Sequence, residues 1–437
     1  MGNRVYIETW GCQMNLHQSE GIGGVLEQAG YRMVPTLVEA DVVLFNGCMV
    51  REKAEEKLLG RLGAVAEEKR RRPLVLGVGG CFGQIHGREL LARSPWVDFV
   101  FGVRGHSELP QLIARAERNG GRFCDLPAVE REDEIPFRRA THVQAMVTIA
   151  EGCSNACSYC IVPLARGPMR SRVPARILAE IEEALRGGAR EILLLGQNVN
   201  AYGVDRPEWG TFAGLLRRVA ACGPERIRFT SSHPRDMDAD ALAAMANTRG
   251  ICRHLHLPLQ SGSDRILRAM RRGYGRREYE NVLRVARDAM PGLNVTTDII
   301  VGYPGESEAD FAATLEVVET VRFGTVYAAK YSPRPGTAAA RQVDDVPREV
   351  KEERLARVLA RERAIAAEEN ARWVGKDVDV LIEGRARDGA WMGRADDHRT
   401  VVALGEAAVG EVATVRIEKS SASTLEGTIS PAEGAVR

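Results

Sequence analysis

The sequence predicts an α/β protein in three parts: an N-terminal parallel α/β domain, a central partial (β/α)6 barrel and a small C-terminal β-barrel. Three observations carry that expectation. Val5–Thr9, Val42–Asn46 and Leu74–Val78 are short β-rich apolar runs with helical stretches such as Glu52–Val65 between them, the alternation of a parallel sheet. Further strand-like runs, near Val143–Ile149, Glu191–Leu195, Arg226–Thr230, His254–Leu257, Asn294–Val301 and Thr325–Tyr331, alternate with helical ones, as in an open or partial barrel. Beyond a long charged helix at Pro347–Asn370, Trp373–Ile429 holds short alternating strands separated by glycines, the pattern of a small β-barrel. The expected boundaries are 1–123 for the first domain, 124–142 for a charged linker, 143–345 for the central barrel, 346–372 for the connecting helix and 373–437 for the last domain.

Each element has a local reason. The first three strands all stop at a glycine and then a cysteine: Gly11-Cys12, Gly47-Cys48 and Gly80-Cys81. Loops after the strands of a parallel sheet share one edge, so three distant thiols are expected at one rim. Gly77-Val-Gly79-Gly80-Cys81-Phe82 is no dinucleotide loop, because Phe82 stands where the last glycine is needed. Around Glu130-Arg-Glu-Asp-Glu134 the chain is charged and irregular, which suits a linker. In the central part Ile177, Ile181, Ala184 and Leu185 fall on one helix face, and Ser307-x-x-Asp310 caps a helix that presents Phe311, Leu315 and Val318. The last four residues, Gly434–Arg437, read as a frayed tail.

Composition excludes more than it specifies. With 437 residues and a net charge of +1, nothing in the total demands a polyanionic partner, so any nucleic-acid site must be a local patch. The stretch Trp373–Arg437 has eight Lys and Arg against eleven Asp and Glu, which is not a basic footprint. Basic residues gather instead at Lys69–Arg72 and at Arg265, Arg268, Arg271, Arg272, Arg276 and Arg277, either as a phosphate-facing patch or as a solvated helix face. No run approaches the ~18 apolar residues of a membrane span, and the N-terminus has no apolar signal core. Nine cysteines, an odd number with three in close spacing, argue for a reducing compartment and metal chemistry over disulfides. A cytoplasmic, monomeric protein is the expectation.

The richest stretch is Glu151-Gly-Cys-Ser-Asn-Ala-Cys-Ser-Tyr-Cys160, where Cys153, Cys157 and Cys160 stand at C-x3-C-x2-C. Thiolates are soft ligands for zinc or an iron–sulfur cluster. Structural zinc wants four protein ligands, and no fourth Cys or His follows Cys160 for sixty residues. A 4Fe–4S cluster on three cysteines leaves one iron open, which suits a reactive site. At the ends of later strands come Gln197-Asn198, Ser232, Gln260-Ser261 and Gly302-Tyr-Pro304-Gly305-Glu306, small and amide residues that let backbone approach a polar ligand. His254 and His256 share one face of a strand and are expected to be hydrogen-bonded rather than metal-bound.

C-x3-C-x2-C with Tyr159 before its last cysteine resembles the signature of the radical S-adenosylmethionine (SAM) enzymes. The whole domain order, with Asn46-Gly-Cys-Met-Val-Arg-Glu-Lys-Ala-Glu-Glu-Lys57, Gly11-Cys-Gln-Met-Asn15 and Pro333-Arg-Pro-Gly-Thr337, resembles the radical-SAM methylthiotransferases, and within them the tRNA branch of MiaB type. The resemblance implies two 4Fe–4S clusters, one on Cys153, Cys157 and Cys160 that binds SAM, and an auxiliary one on Cys12, Cys48 and Cys81. It implies a TRAM-like RNA-binding module at the C-terminus, SAM contacts at Gln197, Asn198, Ser232, Gln260, Ser261, Gly302, Pro304, Gly305 and Glu306, and no catalytic residue beyond the cluster ligands. It also implies a tRNA substrate and an external electron donor of flavodoxin or ferredoxin type. Two departures stand out: the family usually has Asn-Thr-Cys where this chain has Asn46-Gly47-Cys48, and Ser where it has Met49.

The expected activity is methylthiolation of C2 of N6-isopentenyladenosine beside the tRNA anticodon, with one SAM giving the methyl group and a second the radical. The same chemistry could serve a threonylcarbamoyl-adenosine tRNA or an aspartate of a ribosomal protein. An iron–sulfur RNA-binding or electron-transfer protein is the non-enzymatic alternative, disfavoured because a pure carrier has no use for an open iron.

Overall fold

A computed structural model describes residues 3–50, 52–119, 121–127, 136–139 and 142–430. The expected linker core Glu130–Glu134 and the tail Gly434–Arg437 lie outside the described residues. The chain forms two compact units, one holding the residues up to 139 with Gly152–Ser154 and Cys160–Pro168, the other holding Asn155–Tyr159 and the chain from Met169 onward with the strand before the cysteine loop.

In the first unit a fully parallel sheet runs Arg32–Met33, Arg4–Trp10, Val42–Gly47, Val75–Gly79, Phe99–Phe101, Phe123–Asp125. Its central strands are apolar throughout because helices cover both faces. Val43, Phe45, Leu76 and Val78 pack with Leu58, Leu62 and Val65 of the helix Glu52–Arg71 and with Phe82 and Leu90 of Gly80–Arg93. The alternate residues Val42, Leu44 and Val75 pack the other way, against Ile22 and Leu26 of Gln13–Gln28 and Leu109, Leu112 and Ile113 of Leu109–Asn119. Three strands escaped the sequence pattern because each is only two or three residues long. The last of them carries the sheet to Asp125, past the expected boundary at 123: Phe123 stacks on Phe99 at 5.7 Å, so Cys124 sits in a strand.

In the second unit six parallel strands form two sheets of three, Gln144–Thr148, Glu191–Leu195 and Arg226–Phe229, then His254–His256, Asn294–Val301 and Thr325–Lys330. A parallel bridge between Ile227 and Ile251 links them, so sequence order and spatial order coincide and a partial barrel results. Helices cover the outside: Ile177, Ile181 and Ala184 are buried as the pattern requires, and Ser307 and Asp310 form a reciprocal cap on Glu308–Val321. The helix Arg348–Ala371 buries Val358, Ile365 and Ala366. His254 and His256 both hydrogen-bond the Thr296 hydroxyl at 3.0 Å, as expected of structural histidines.

The last five strands, Asp377–Arg385, Trp391–Ala395, Thr400–Leu404, Val412–Ser420 and Leu425–Ile429, close into a barrel around Val380, Ile382, Trp391, Val401, Val415 and Ile417. It is tied to the partial barrel by two arginines: Arg226 donates to the carbonyls of Arg394 and Asp379, and Arg228 to those of Asp396 and Ala395. Arg228 is in turn paired with Glu191 at 2.9 Å, both side chains being at most 1% exposed. Among the described residues no helix is long and apolar enough to cross a membrane.

Candidate metal centres and cofactor surface

In the first unit Arg4–Trp10, Val42–Gly47 and Val75–Gly79 are adjacent and in register, Trp10 opposite Gly47 and Asn46 opposite Gly79. Cys12, Cys48 and Cys81 therefore leave neighbouring strand ends at one rim, Cys12 as the N-cap of Gln13–Gln28 and Cys81 in the first turn of Gly80–Arg93. Helix N-termini favour thiolates. The hydrogen bond from Cys48 and, against the effect of burial, the charge of Arg166 bring the Cys12 thiol from 9.0 to about 5. Cys48, the donor in that pair, is pushed up, with Cys81 adding to the shift. Among the described residues no three His, Cys, Asp or Glu side chains converge on a position for a single ion. Three thiols are the donor type that an iron–sulfur core takes.

Side chains that sequence reasoning missed hold this rim together. Asn15 and Asn46 are fully buried and clasp each other: Asn15 Nδ2 donates to Asn46 Oδ1 at 3.0 Å, and Asn46 Nδ2 to the Asn15 carbonyl at 2.9 Å. Gly11 is obligatory, since at φ +133° its Cβ would stand 2.1 Å from Cys48 Cβ. The two departures from the family pattern have structural counterparts. A Cβ at Gly47 would meet Leu58 Cδ1 at 2.3 Å and Phe82 Cβ at 2.8 Å, so these neighbours occupy the place of a side chain there. Met49 is 1% exposed and belongs to the same apolar cluster.

The cysteine loop is anchored residue by residue. In the first unit the Cys153 amide donates to the Gly167 carbonyl at 3.1 Å, and Arg104 donates to the Arg166 carbonyl at 2.6 Å. In the second, the Ser158 amide donates to the Met270 carbonyl, its hydroxyl meets Tyr303 OH at 2.8 Å, and the Ala339 amide donates to its carbonyl. Arg235 holds Asn155 Oδ1 at 2.6 Å. Arg272, read in the sequence as part of a basic run, is corrected: it is 5% exposed, its Nη1 lies 3.4 Å from both Cys157 Sγ and Tyr159 OH, and it is not a phosphate-facing group. Arg265 and Arg276 are also committed, to Asp310 and to Glu280 and Glu316. Arg268, Arg271 and Arg277 remain exposed.

At the C-terminal ends of neighbouring strands of the partial barrel, buried polar atoms lack a partner among the described residues: Asn198 Oδ1, Ser232 Oγ, His233 Nε2 and Gln260 Oε1. Atoms of this kind occur elsewhere among the described residues too, but here four of them gather at neighbouring strand ends, where a polar ligand could satisfy them. The other ends of these groups are fixed, Asn198 Nδ2 on Asp236 at 2.7 Å and the His233 amide on Asn200 Oδ1 at 2.8 Å. Burial, helped by the charge of Arg272, holds His233 down to about 3, so it is neutral. Gln260 takes a left-handed φ of 72°. The set fits the donors and acceptors of SAM. Gln197 is half-buried beside Asn198, Pro304 is buried and Gly305 is exposed, its amide donating to Asp345 at 2.6 Å. Two expected contacts are placed differently. Ser261 is fully buried and accepts from the Ser263 amide, with Thr314 Oγ1 3.4 Å away. Glu306 accepts from the Gly302 amide at 2.6 Å and from Arg354 at 2.8 Å, because a buried carboxylate needs a counter-charge. Both side chains are thus engaged by partners within the protein.

A partial barrel of parallel strands with a three-cysteine loop after the first strand defines a radical-SAM enzyme, and the description "Radical SAM superfamily" matches residues 147–318. On either side "Uncharacterized protein family UPF0004" matches 4–102 and "TRAM domain" 371–430. A tRNA-2-methylthio-N(6)-dimethylallyladenosine synthase of Thermobifida fusca is 46% identical over 95% of this chain and 85% of its own. One of Geobacter metallireducens is 44% identical over 97% and 98%. The chain belongs to the tRNA-2-methylthio-N(6)-dimethylallyladenosine synthase family. Its fold resembles that of the radical SAM methyltransferase TsrM of Kitasatospora setae, with a TM-score of 0.59 at 14% identity over 78% of this chain and 74% of the other.

Proposed function

We propose that this protein methylthiolates C2 of N6-isopentenyladenosine beside the anticodon of tRNA. The observation that carries the reading is the meeting of Cys12, Cys48 and Cys81 at one sheet rim, in a chain that also has the C-x3-C-x2-C loop. Cys153, Cys157 and Cys160 would hold one 4Fe–4S cluster and the rim trio the other. When bound, the first cluster with SAM supplies a carbon radical able to take the unreactive C2 hydrogen, and the second supplies a sulfur centre for the new bond.

The chain's own residues do the positioning. The Asn15–Asn46 clasp holds the helix Gln13–Gln28, which begins just after Cys12, against the strand end from which Cys48 departs. Arg166 stabilises the Cys12 thiolate, the form that binds iron. Asn198, Ser232, His233 and Gln260 offer desolvated acceptors and donors for the nucleoside and methionine ends of SAM, with Gln197, Gly302, Pro304 and Gly305 alongside. The Glu306–Arg354 pair keeps the 302–306 loop in one conformation.

The names of the relatives favour the dimethylallyl-adenosine substrate over the threonylcarbamoyl and ribosomal-protein alternatives. Exposed Arg268, Arg271 and Arg277 are candidate phosphate contacts, with the last barrel as a further RNA surface. A cytoplasmic monomer served by a flavodoxin- or ferredoxin-type donor completes the reading, since tRNA is in the cytoplasm and the radical requires one electron. The test is a Cys12→Ala, Cys48→Ala, Cys81→Ala variant. It is expected to cleave SAM to 5′-deoxyadenosine under reductant and to make no methylthio-adenosine on tRNA. Product from a well-folded preparation overturns the two-cluster mechanism.

A further inference from the structure

Arg272 is a buried arginine of the second unit whose side chain faces a cysteine sulfur. Arg228 has Glu191 and Arg354 has Glu306, whereas the partners of Arg272 among the described residues include no carboxylate. Its Nε donates to Tyr274 OH at 2.9 Å, its Nη2 to the Pro258 carbonyl at 3.2 Å, and its Nη1 faces Cys157 Sγ and Tyr159 OH, each at 3.4 Å. A buried charge without a counter-charge is strongly unfavourable. Burial works against the charged guanidinium, and the hydrogen bond to Tyr274 favours it.

Tyr274 is itself held by the carbonyls of Pro258 and Leu259, at 3.0 and 2.9 Å, and Arg271, the preceding residue, takes a left-handed φ of 56°. The turn is thus built to aim one guanidinium at one cysteine sulfur. We propose that Arg272 is the built-in counter-charge of the cluster bound through Cys157, raising its reduction potential by stabilising the extra negative charge of the reduced state. Net charge and hydrogen bonds to the sulfurs are what set such potentials. The step concerned is uptake of one electron by the cluster from a low-potential one-electron donor, which is oxidised by one electron, with no proton transferred. Arg272 is a positioning residue that acts through the ligand sulfur.

The proposal rests on the reading that Cys153, Cys157 and Cys160 hold a cluster. The test therefore uses the full chain with Cys12→Ala, Cys48→Ala and Cys81→Ala, leaving one cluster whose midpoint is measured by EPR during titration with titanium(III) citrate. Arg272→Met is expected to lower the reduced-to-oxidised ratio at a fixed potential about tenfold, equivalent to about 59 mV for a one-electron couple. Arg272→Lys, which keeps the charge, should restore most of the shift, and Arg272→Gln, which keeps only a donor, should fall between. An unchanged midpoint in Arg272→Met at equal iron content overturns the proposal. So does loss of iron from all three variants, Lys included, which is the behaviour of a brace. If the parent with Arg272 intact binds no iron, the cysteine reading itself fails, and that outcome is distinct from the other two.

Discussion

Replacing Gly11 by alanine tests whether the rim trio is a built site. At φ +133° a non-glycine residue is strained by about 1–3 kcal/mol. The added methyl would also stand 2.1 Å from Cys48 Cβ and 3.0 Å from its Sγ, so the collision falls on the residue that directly follows the strand Val42–Gly47. Gly30 separates the two effects: its φ is +85°, and a Cβ there meets nothing within 4 Å. Gly30→Ala should therefore cost only the backbone term, about 1–2 kcal/mol, and leave metal binding intact. Gly11→Ala must add displacement of Cys48 and should lose the auxiliary cluster. Iron per chain after anaerobic reconstitution reads the outcome, about eight in the parent and in Gly30→Ala and about four in Gly11→Ala, by the arithmetic of two four-iron sites. Thermal unfolding of the apo chain should shift further for Gly11→Ala than for Gly30→Ala. Full iron in Gly11→Ala, or equal unfolding shifts, would refute the argument that Cys48 is held in place by its neighbours.

Glu191→Gln strands the buried Arg228 and should destabilise the second unit by about 3–5 kcal/mol, seen as a lower urea midpoint. Stability at the junction with the last barrel should also depend on pH. His254 and His398 stack at 4.5 Å, and burial lowers His398 from 6.5 to about 3 and His254 likewise well below its ordinary value. Their folded values lie under the unfolded one, so the contribution is complete above pH 6.5 and is lost as pH falls toward 3. Urea unfolding across that window should show the loss, and His398→Asn, which tolerates the φ of 73°, should reduce it. Neutralising Arg268, Arg271 and Arg277 should flatten the salt dependence of tRNA binding by ~0.7–0.9 per lost phosphate contact, and an unchanged slope would mark them as a solvated face.

How much was legible in the sequence follows from what is local and what is not. Strand-then-Gly-Cys, repeated three times with helices between, was enough to place Cys12, Cys48 and Cys81 on one rim, because parallel connections bring successive strand ends to the same edge. The partial barrel and the closing β-barrel followed from periodicity, which records which face of each segment is buried. Strands of two or three residues left no such record, so Arg32–Met33, Phe99–Phe101 and Phe123–Asp125 emerged only when neighbours supplied their hydrogen bonds. Side-chain roles depended still more on partners distant in the chain. Arg272 sat in a run of arginines and looked like its exposed neighbours, and only packing decided that it is buried 115 residues along the chain from the cysteine it faces. Glu306 carried a ligand-like pattern, but the Arg354 that neutralises it arrives on another helix. Local pattern determined the thiols and the strands that carry them; tertiary structure alone decided which charges face those thiols, since a buried charge takes its meaning from the counter-charge that packing brings to it.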